Sequence, residues 1–257
     1  MLEAKKASYR SVFISDVHLG TRNAQADELC DFLKNHTCER LYLVGDIFDF
    51  WHMERGKVYW HQSHSNVLES ILSASKKGTD IYYIPGNHDE HLRKYIEYGL
   101  ILGRIRFLNE YIHIGVDGKK YLVVHGDAFD ALMFTKFGRF AMSVASRIYG
   151  LITRLNSVIN WCRKKLKLKP WSLSDYVNKS VKKTMDTYFL YERKMAEYTM
   201  KNNLDGVICG HTHEPEIKQI EDIKYLNCGD WSGSATGIVE HHNGEFELIE
   251  WNISKKD

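Results

Sequence analysis

Seven side chains spread over five short motifs carry the chemistry open to this sequence. In chain order the motifs are Asp16-Val-His18, Gly45-Asp46-Ile-Phe-Asp49, Gly86-Asn87-His88-Asp89, His125-Gly-Asp127 and Gly210-His211-Thr-His213. Asp16, His18, Asp46, Asn87, His125, His211 and His213 offer carboxylate oxygens, imidazole nitrogens and one amide oxygen, with no thiolate among them. That is too many ligands for one tetrahedral ion. It suits two five- or six-coordinate divalent ions sharing a bridging carboxylate. A lone D-x-H or G-D pair says almost nothing, and a single histidine is more often structural than a ligand. It is the order and common placement of the whole set that point to a metal centre.

The elements that must position these residues are legible beside them. Each motif follows an apolar, β-rich run: VFIS, LYLV, IYYIP, YLVV and GVIC. Ligands gather at the carboxyl ends of strands in open α/β sheets, so motifs placed there can converge on one crevice. Strand alternation would put Asp16 and His18 on one face. Gly45, Gly86, Gly126 and Gly210 would leave room where backbone approaches the metals. The first half alternates strands (Tyr9–Ser15, Leu41–Val44, Asp80–Ile84) with helices (Gln25–Asn35, Val67–Ala74). Tyr121–Val124 and Gly206–Cys209 are further short strands, and IKYLNCG, GIVEHH and FELIEW follow with no helix between them. Such a pattern predicts an α/β protein of packed mixed sheets flanked by helices.

Residues 132–200 break that pattern. Phe137, Phe140, Val144, Ile148, Leu151, Leu155 and Val158 recur at helical spacing, with Lys136, Arg139, Arg147 and Arg154 among them and the basic run RKKLKLKP (163–170) beyond. Pro170 ends that element, and Ser172–Asp175 resembles a capping box opening a second helix through about Lys201. Residues 129–201 hold fifteen Lys or Arg against five Asp or Glu, leaving twenty against twenty-eight in the rest of the chain. A charge split of this kind marks a segment that meets an anionic surface or ligand. The expectation is a single domain over 1–257 carrying a helical insertion, a cap or lid, at 129–201. Five scattered cysteines without a C-x-x-C spacing speak for a reducing compartment. No secretory h-region and no long apolar run is visible, so a cytoplasmic location is expected.

Together D-x-H, G-D-x-x-D, G-N-H-D, H-G-D and G-H-T-H resemble the calcineurin-like metallophosphoesterase superfamily, over almost the whole chain outside 129–200. The resemblance implies a double β-sandwich in αββα layers with two metals above it. It implies that Asp16, His18 and His213 hold the first metal, that Asn87, His125 and His211 hold the second, and that Asp46 bridges them. It also places His88 beside the phosphate as an acid or charge stabiliser, with Asp89 orienting it. Asp49 and Asp127 are expected to orient metal-ligating side chains. Manganese heads the expected ions, with iron, zinc, cobalt and nickel as alternatives.

SDVHLG (15–20), GDIFDFW (45–51) and WSLSDYV (171–177) are similar to the UDP-2,3-diacylglucosamine diphosphatases of lipid A synthesis, and His88 to their G-N-H-D-bearing branch. That resemblance implies cleavage of a pyrophosphate in a nucleotide-linked lipid, giving UMP and a lipid monophosphate. It also implies a substrate-covering, membrane-facing role for the basic insertion at the inner face of a bacterial cytoplasmic membrane. Two other readings remain: a phosphoesterase for soluble nucleotides or nucleic acid, and a non-catalytic scaffold. Nucleic acid is disfavoured because the insertion's apolar residues are mostly aliphatic rather than stacking aromatics, and a scaffold because every ligand is present. Substrate-binding residues outside the insertion and the oligomeric state are not readable from the sequence. His52, His61 and His64 beside Phe50, Trp51 and Trp60 could wall the cleft or hold a further metal, and His241-His242 lies far from the motifs.

Overall fold

The computed structural model describes residues 7–133 and 190–251. The chain divides into two compact units, Met1–Asp127 with Met195–Asp257, and Ala128–Lys194. Of the second unit only residues 128–133 and 190–194 are described, both helical. The apolar stripe from Phe137 to Val158, the basic run 163–170 and the capping box at 172–175 lie outside the described residues.

The first unit is built on two sheets. Strands β1 (Ala7–Ile14), β2 (His36–Val44), β3 (Asp80–Ile84), β4 (Ile101–Leu102), β5 (Ile105–Phe107), β11 (Thr236–Glu240) and β12 (Phe246–Glu250) form one, in the order β12-β11-β1-β2-β3-β5-β4. Strands β6 (Tyr111–Ile114), β7 (Lys120–Val123), β8 (Gly206–Cys209), β9 (Glu216–Ile220) and β10 (Ile223–Asn227) form the other, in the order β6-β7-β8-β10-β9. Within the first sheet β1, β2, β3 and β5 run parallel, and within the second β7, β8 and β10 do. The parallel strands read as apolar runs because their carboxyl-terminal halves are buried on both faces, as in β1, whose last four residues are all buried.

Helices α1 (Ala26–Asn35) and α3 (Gln62–Lys76) cover one face of the first sheet, where Leu29, Phe32, Val67 and Ile71 join Val12, Ile14, Leu41 and Ile81 in one core. A second core lies between the sheets. There Phe13, Tyr42, Tyr82 and Ile84 meet Tyr121, Val123, Ile208 and Leu226. Its centre is a run of stacked rings, Phe13 on Tyr42 at 4.5 Å and Tyr42 on Tyr82 at 4.9 Å. Such pairs add about 0.5–1.5 kcal/mol each beyond area burial. Tyr phenols cannot be buried without partners, and Tyr42 finds His113 Nδ1 at 3.0 Å. The Nε2–H of His113, on β6, in turn donates to Glu240, on β11, at 2.9 Å. Arg10, the Ser11 hydroxyl and the Val116 N–H complete the Glu240 shell, so this bridge between sheets is satisfied throughout.

Three departures from the expected elements have local causes. β2 begins at His36, directly after α1, because the polar stretch HTCER pairs with β1 from Ala7 onward although its pattern is not apolar. The short edge strands β4 and β6 carry exposed Ile101, Leu102, Ile112 and Ile114 and lack the buried signature. Asp16 and His18 stand beyond the end of β1, so strand alternation does not place them; left-handed backbone does, as described next.

Candidate metal centre

All five motifs leave the carboxyl ends of parallel strands: β1 into Asp16 and His18, β2 into Asp46, β3 into Asn87, β7 into His125, β8 into His211 and His213. Both sheets present those ends at the same edge of the sandwich. The loops carrying them are tightly zipped. Asp16 N–H donates to Gly45 O at 3.0 Å, His18 N–H to Asp46 O at 2.9 Å and Trp231 N–H to Asp16 O at 3.0 Å. Asp16, His18, Asp46, His211 and His213 stand at φ between 53° and 71°. Left-handed backbone at a residue with a Cβ costs of order 1–3 kcal/mol and clusters where a site requires it. Two glycines answer to close approach. A Cβ on Gly86 would strike the Asp46 carboxylate and the His125 ring, and one on Gly210 would strike Asp16 and Ser15.

Three groups of side chains can each hold an ion: Asp16, His18 and His213; Asp46, His125 and His211; and His18, Asp46 and His88. The carboxylates are deeply placed, with Asp16 0% and Asp46 1% exposed. Asp46 is shared by two of the groups, facing His125 Nε2 at 3.4 Å and His88 Nε2 at 3.9 Å and accepting the His88 N–H at 2.8 Å.

The imidazoles are held by one nitrogen and aimed with the other. His125 Nδ1–H donates to Val44 O at 2.9 Å, His213 Nδ1–H to Asp230 at 2.9 Å and His18 Nδ1–H to Asp49 at 3.3 Å. Partners that can only accept keep the proton on Nδ1, so in the neutral ring each Nε2 carries the lone pair. The buried atoms Asp16 Oδ1, His18 Nε2, Asn87 Oδ1 and His125 Nε2 have no hydrogen-bond donor or acceptor of their own. Each such orphan costs about 1–3 kcal/mol. Buried lone-pair atoms without a hydrogen-bond donor fit divalent cations, and the oxygen and nitrogen donors fit the borderline and hard metals.

The charges are mutually supporting. Burial alone would raise the Asp16 carboxyl, but the His213 and His125 rings hold it low, and His125 and His88 do the same for Asp46. Burial would lower His125 and His213, yet the surrounding carboxylates raise both to about 10. A bound cation competes with those protons, so metal loading releases them.

Two expected roles are corrected. Asp89 does not orient His88. Its fully buried carboxylate accepts N–H groups from Gly86, Asp46 and Ile47 and the Tyr83 hydroxyl, clamping the loop that carries Asp46. The carboxylate beside the His88 ring is Asp49, with Oδ1 3.0 Å from Nδ1; its other oxygen faces His18. Asp127 was expected behind a metal ligand, but its carboxylate meets Arg93 at 2.9 Å, and Arg93 also donates to Pro85 O. The sequence reading missed Asp230 altogether. It sits after β10 in a strand-then-Gly-Asp sequence, CGD, the same signature as the other motifs. Of the extra histidines, His64 accepts the Gly20 N–H at 3.2 Å and His61 caps α3, so both have structural partners.

Comparison with known proteins identifies the family. The family model for calcineurin-like phosphoesterase matches residues 9–215. UDP-2,3-diacylglucosamine hydrolase of Aliivibrio fischeri is 25% identical, covering 92% of this chain and 96% of its own. The proteins of that name from Blochmanniella pennsylvanica and Haemophilus influenzae are 27% and 29% identical, each over 93% of this chain and 97% and 98% of their own. With the motifs, the sandwich and the donor set in place, the chain belongs to the calcineurin-like phosphoesterase family, hydrolases of phosphoric ester and pyrophosphate bonds.

Proposed function

We propose that this protein hydrolyses the pyrophosphate bond of a UDP-linked acylated glucosamine, UDP-2,3-diacylglucosamine, to UMP and the lipid monophosphate. Relatives carrying that substrate in their name align along more than nine-tenths of the chain. For the chemistry, the carrying observation is the set of buried lone-pair atoms with each Nδ1 already held.

In this reading Asp16, His18 and His213 hold one divalent ion, Asn87, His125 and His211 a second, and Asp46 both. Manganese is the preferred ion, with iron, zinc, cobalt and nickel as alternatives. Such a pair supplies charge neutralisation at the phosphoryl oxygens and lowers the pKa of water. The chain's own residues do the rest. Asp49 sets the His88 ring, His88 stands at the open side of Asp46 to stabilise charge on the departing phosphate oxygen, and Asp89 holds the Asp46 loop still. Water adds across one P–O bond of the bridge, and the two phosphates share its protons. The basic segment 129–201 would cover the acyl chains and meet the inner face of the cytoplasmic membrane.

The test is turnover of UDP-2,3-diacylglucosamine in mixed micelles with added Mn²⁺, UMP being measured, beside single-stranded DNA and bis(p-nitrophenyl) phosphate. Release of UMP, abolished in Asp46→Asn together with metal content, is the expected outcome. Cleavage of DNA without UMP release would refute the substrate, and full activity of Asp46→Asn would refute the shared-ligand centre.

A further inference from the structure

Beside the Asp16–His18–His213 group opens a cleft of about 690 Å³. His18 and His213 form its inner wall, and Arg22, Asn23, Lys57, Tyr59 and Ser232 its sides. Arg22 comes from the loop after β1 and Lys57 from the turn beyond helix α2 (Phe50–Glu54). The Tyr59 N–H donates to Gly20 O at 2.9 Å, which ties the two segments together. The Arg22 guanidinium lies 4.9 Å from the Tyr59 ring centre, which steadies it and leaves its donors free.

Neither Arg22 nor Lys57 has a carboxylate partner among the described residues. The acidic group lining the cleft is Asp49, whose oxygens are already engaged by His18, His88 and the His52 N–H. The cleft therefore shows two uncompensated cations right beside the metal-ligating histidines. Val58 and the Tyr59 ring are the apolar side chains among its lining residues. Its size lies within the range of small-ligand sites.

We infer that this cleft binds the nucleoside-phosphate half of the substrate, with Arg22 and Lys57 as its phosphate-binding residues. The assignment rests on the UDP-linked reading given above and adds the residues that would recognise it.

The experiment is calorimetric binding of UMP to the Mn²⁺-loaded protein, native and as Arg22→Ala, Lys57→Ala, the double variant and Arg22→Lys. A charge-assisted hydrogen bond is worth about 1.5–3 kcal/mol and 1.4 kcal/mol is tenfold in affinity, so each alanine should weaken UMP about 10-fold or more. Arg22→Lys should recover much of the loss. UMP bound by the double variant as tightly as by the native protein, or not bound by the native protein at all, would overturn the assignment. UMP release from the UDP-lipid is followed in parallel. Its failure while UMP binding still depends on the two cations would reject the lipid substrate and leave the cleft assigned.

Discussion

Asp230 offers the sharpest test of how the centre is held, because it touches no proposed metal position and acts only through His213. Its Oδ1 accepts from Ser234 N at 2.7 Å, Ser234 Oγ at 2.8 Å and Gly233 N at 3.2 Å, and its Oδ2 from His213 Nδ1 at 2.9 Å and Ser232 Oγ at 3.0 Å. Burial alone would raise this carboxyl, but the His213 and Ser234 donors hold it well below the usual range. In Asp230→Asn the amide oxygen stays with the Ser234 and Gly233 donors, which puts the amide nitrogen against His213 Nδ1–H. Two donors then face each other. The ring must move its proton to Nε2, losing the lone pair that an ion held jointly with Asp16 would need, or swing away. The loss is one charge-assisted hydrogen bond, about 1.5–3 kcal/mol, which corresponds to roughly 10–100-fold in metal affinity. The assay is hydrolysis of bis(p-nitrophenyl) phosphate titrated with Mn²⁺, with thermal unfolding to check the fold. The half-saturating Mn²⁺ concentration should rise 10–100-fold, with turnover returning at high metal. An unchanged metal dependence would refute the argument.

Two further outcomes follow from other parts of the molecule. His88→Ala should retain metal by elemental analysis while kcat falls about 10²–10⁴-fold, the usual contribution of a positioned acid or charge stabiliser; loss of metal would instead make His88 a ligand. The Glu240–His113 bridge should make stability acid-sensitive in two stages. Burial holds His113 below its usual 6.5, so its neutral form is favoured by folding and stability falls as pH drops below that value. Burial would raise Glu240, but His113, Ser11 and Arg10 hold it down to about 2, so its contribution of roughly 3 kcal/mol is full above 4.5 and lost as pH falls toward 2. Thermal unfolding from pH 8 to 3 should show the lower stage in the native protein and not in Glu240→Gln; superimposable profiles would remove the bridge from the account.

The ligand set was legible in the sequence because residue type and position after a strand suffice to mark it. Which group steadies which ligand was not, because that is decided between distant loops. Asp49 and Asp89 lie 40 residues apart in sequence, and the resemblance implied Asp89 for His88, whereas the fold brings Asp49 to its ring and sends Asp89 to the Asp46 loop. Asp230 had the right local signature but no neighbouring histidine, and it acquires meaning only when β10 pairs beside β8. The strand register was also misleading at one point. The alternation expected to align Asp16 with His18 ends at Ile14, and the two are brought together by left-handed backbone that no side-chain pattern encodes.

The distribution of ligands between the sheets explains why the centre needs so much support. Asp16, His18, Asp46 and Asn87 follow strands of the first sheet, while His125, His211 and His213 follow strands of the second. The group around Asp16 draws His213 from across the seam, and the group around Asp46 draws His125 and His211. Each of these two groups is thus a cross-link at one edge of the sandwich. Both ligand carboxylates follow strands of the first sheet and three of the four ligand imidazoles follow strands of the second, so acid and imidazole face each other across that edge. The same pairing recurs farther from the site, where Glu240 of the first sheet meets His113 of the second. A shift of one sheet against the other would separate acid from imidazole in both places. The core between the sheets, where Phe13, Tyr42 and Tyr82 of the first pack with Tyr121, Val123, Ile208 and Leu226 of the second, resists that shift.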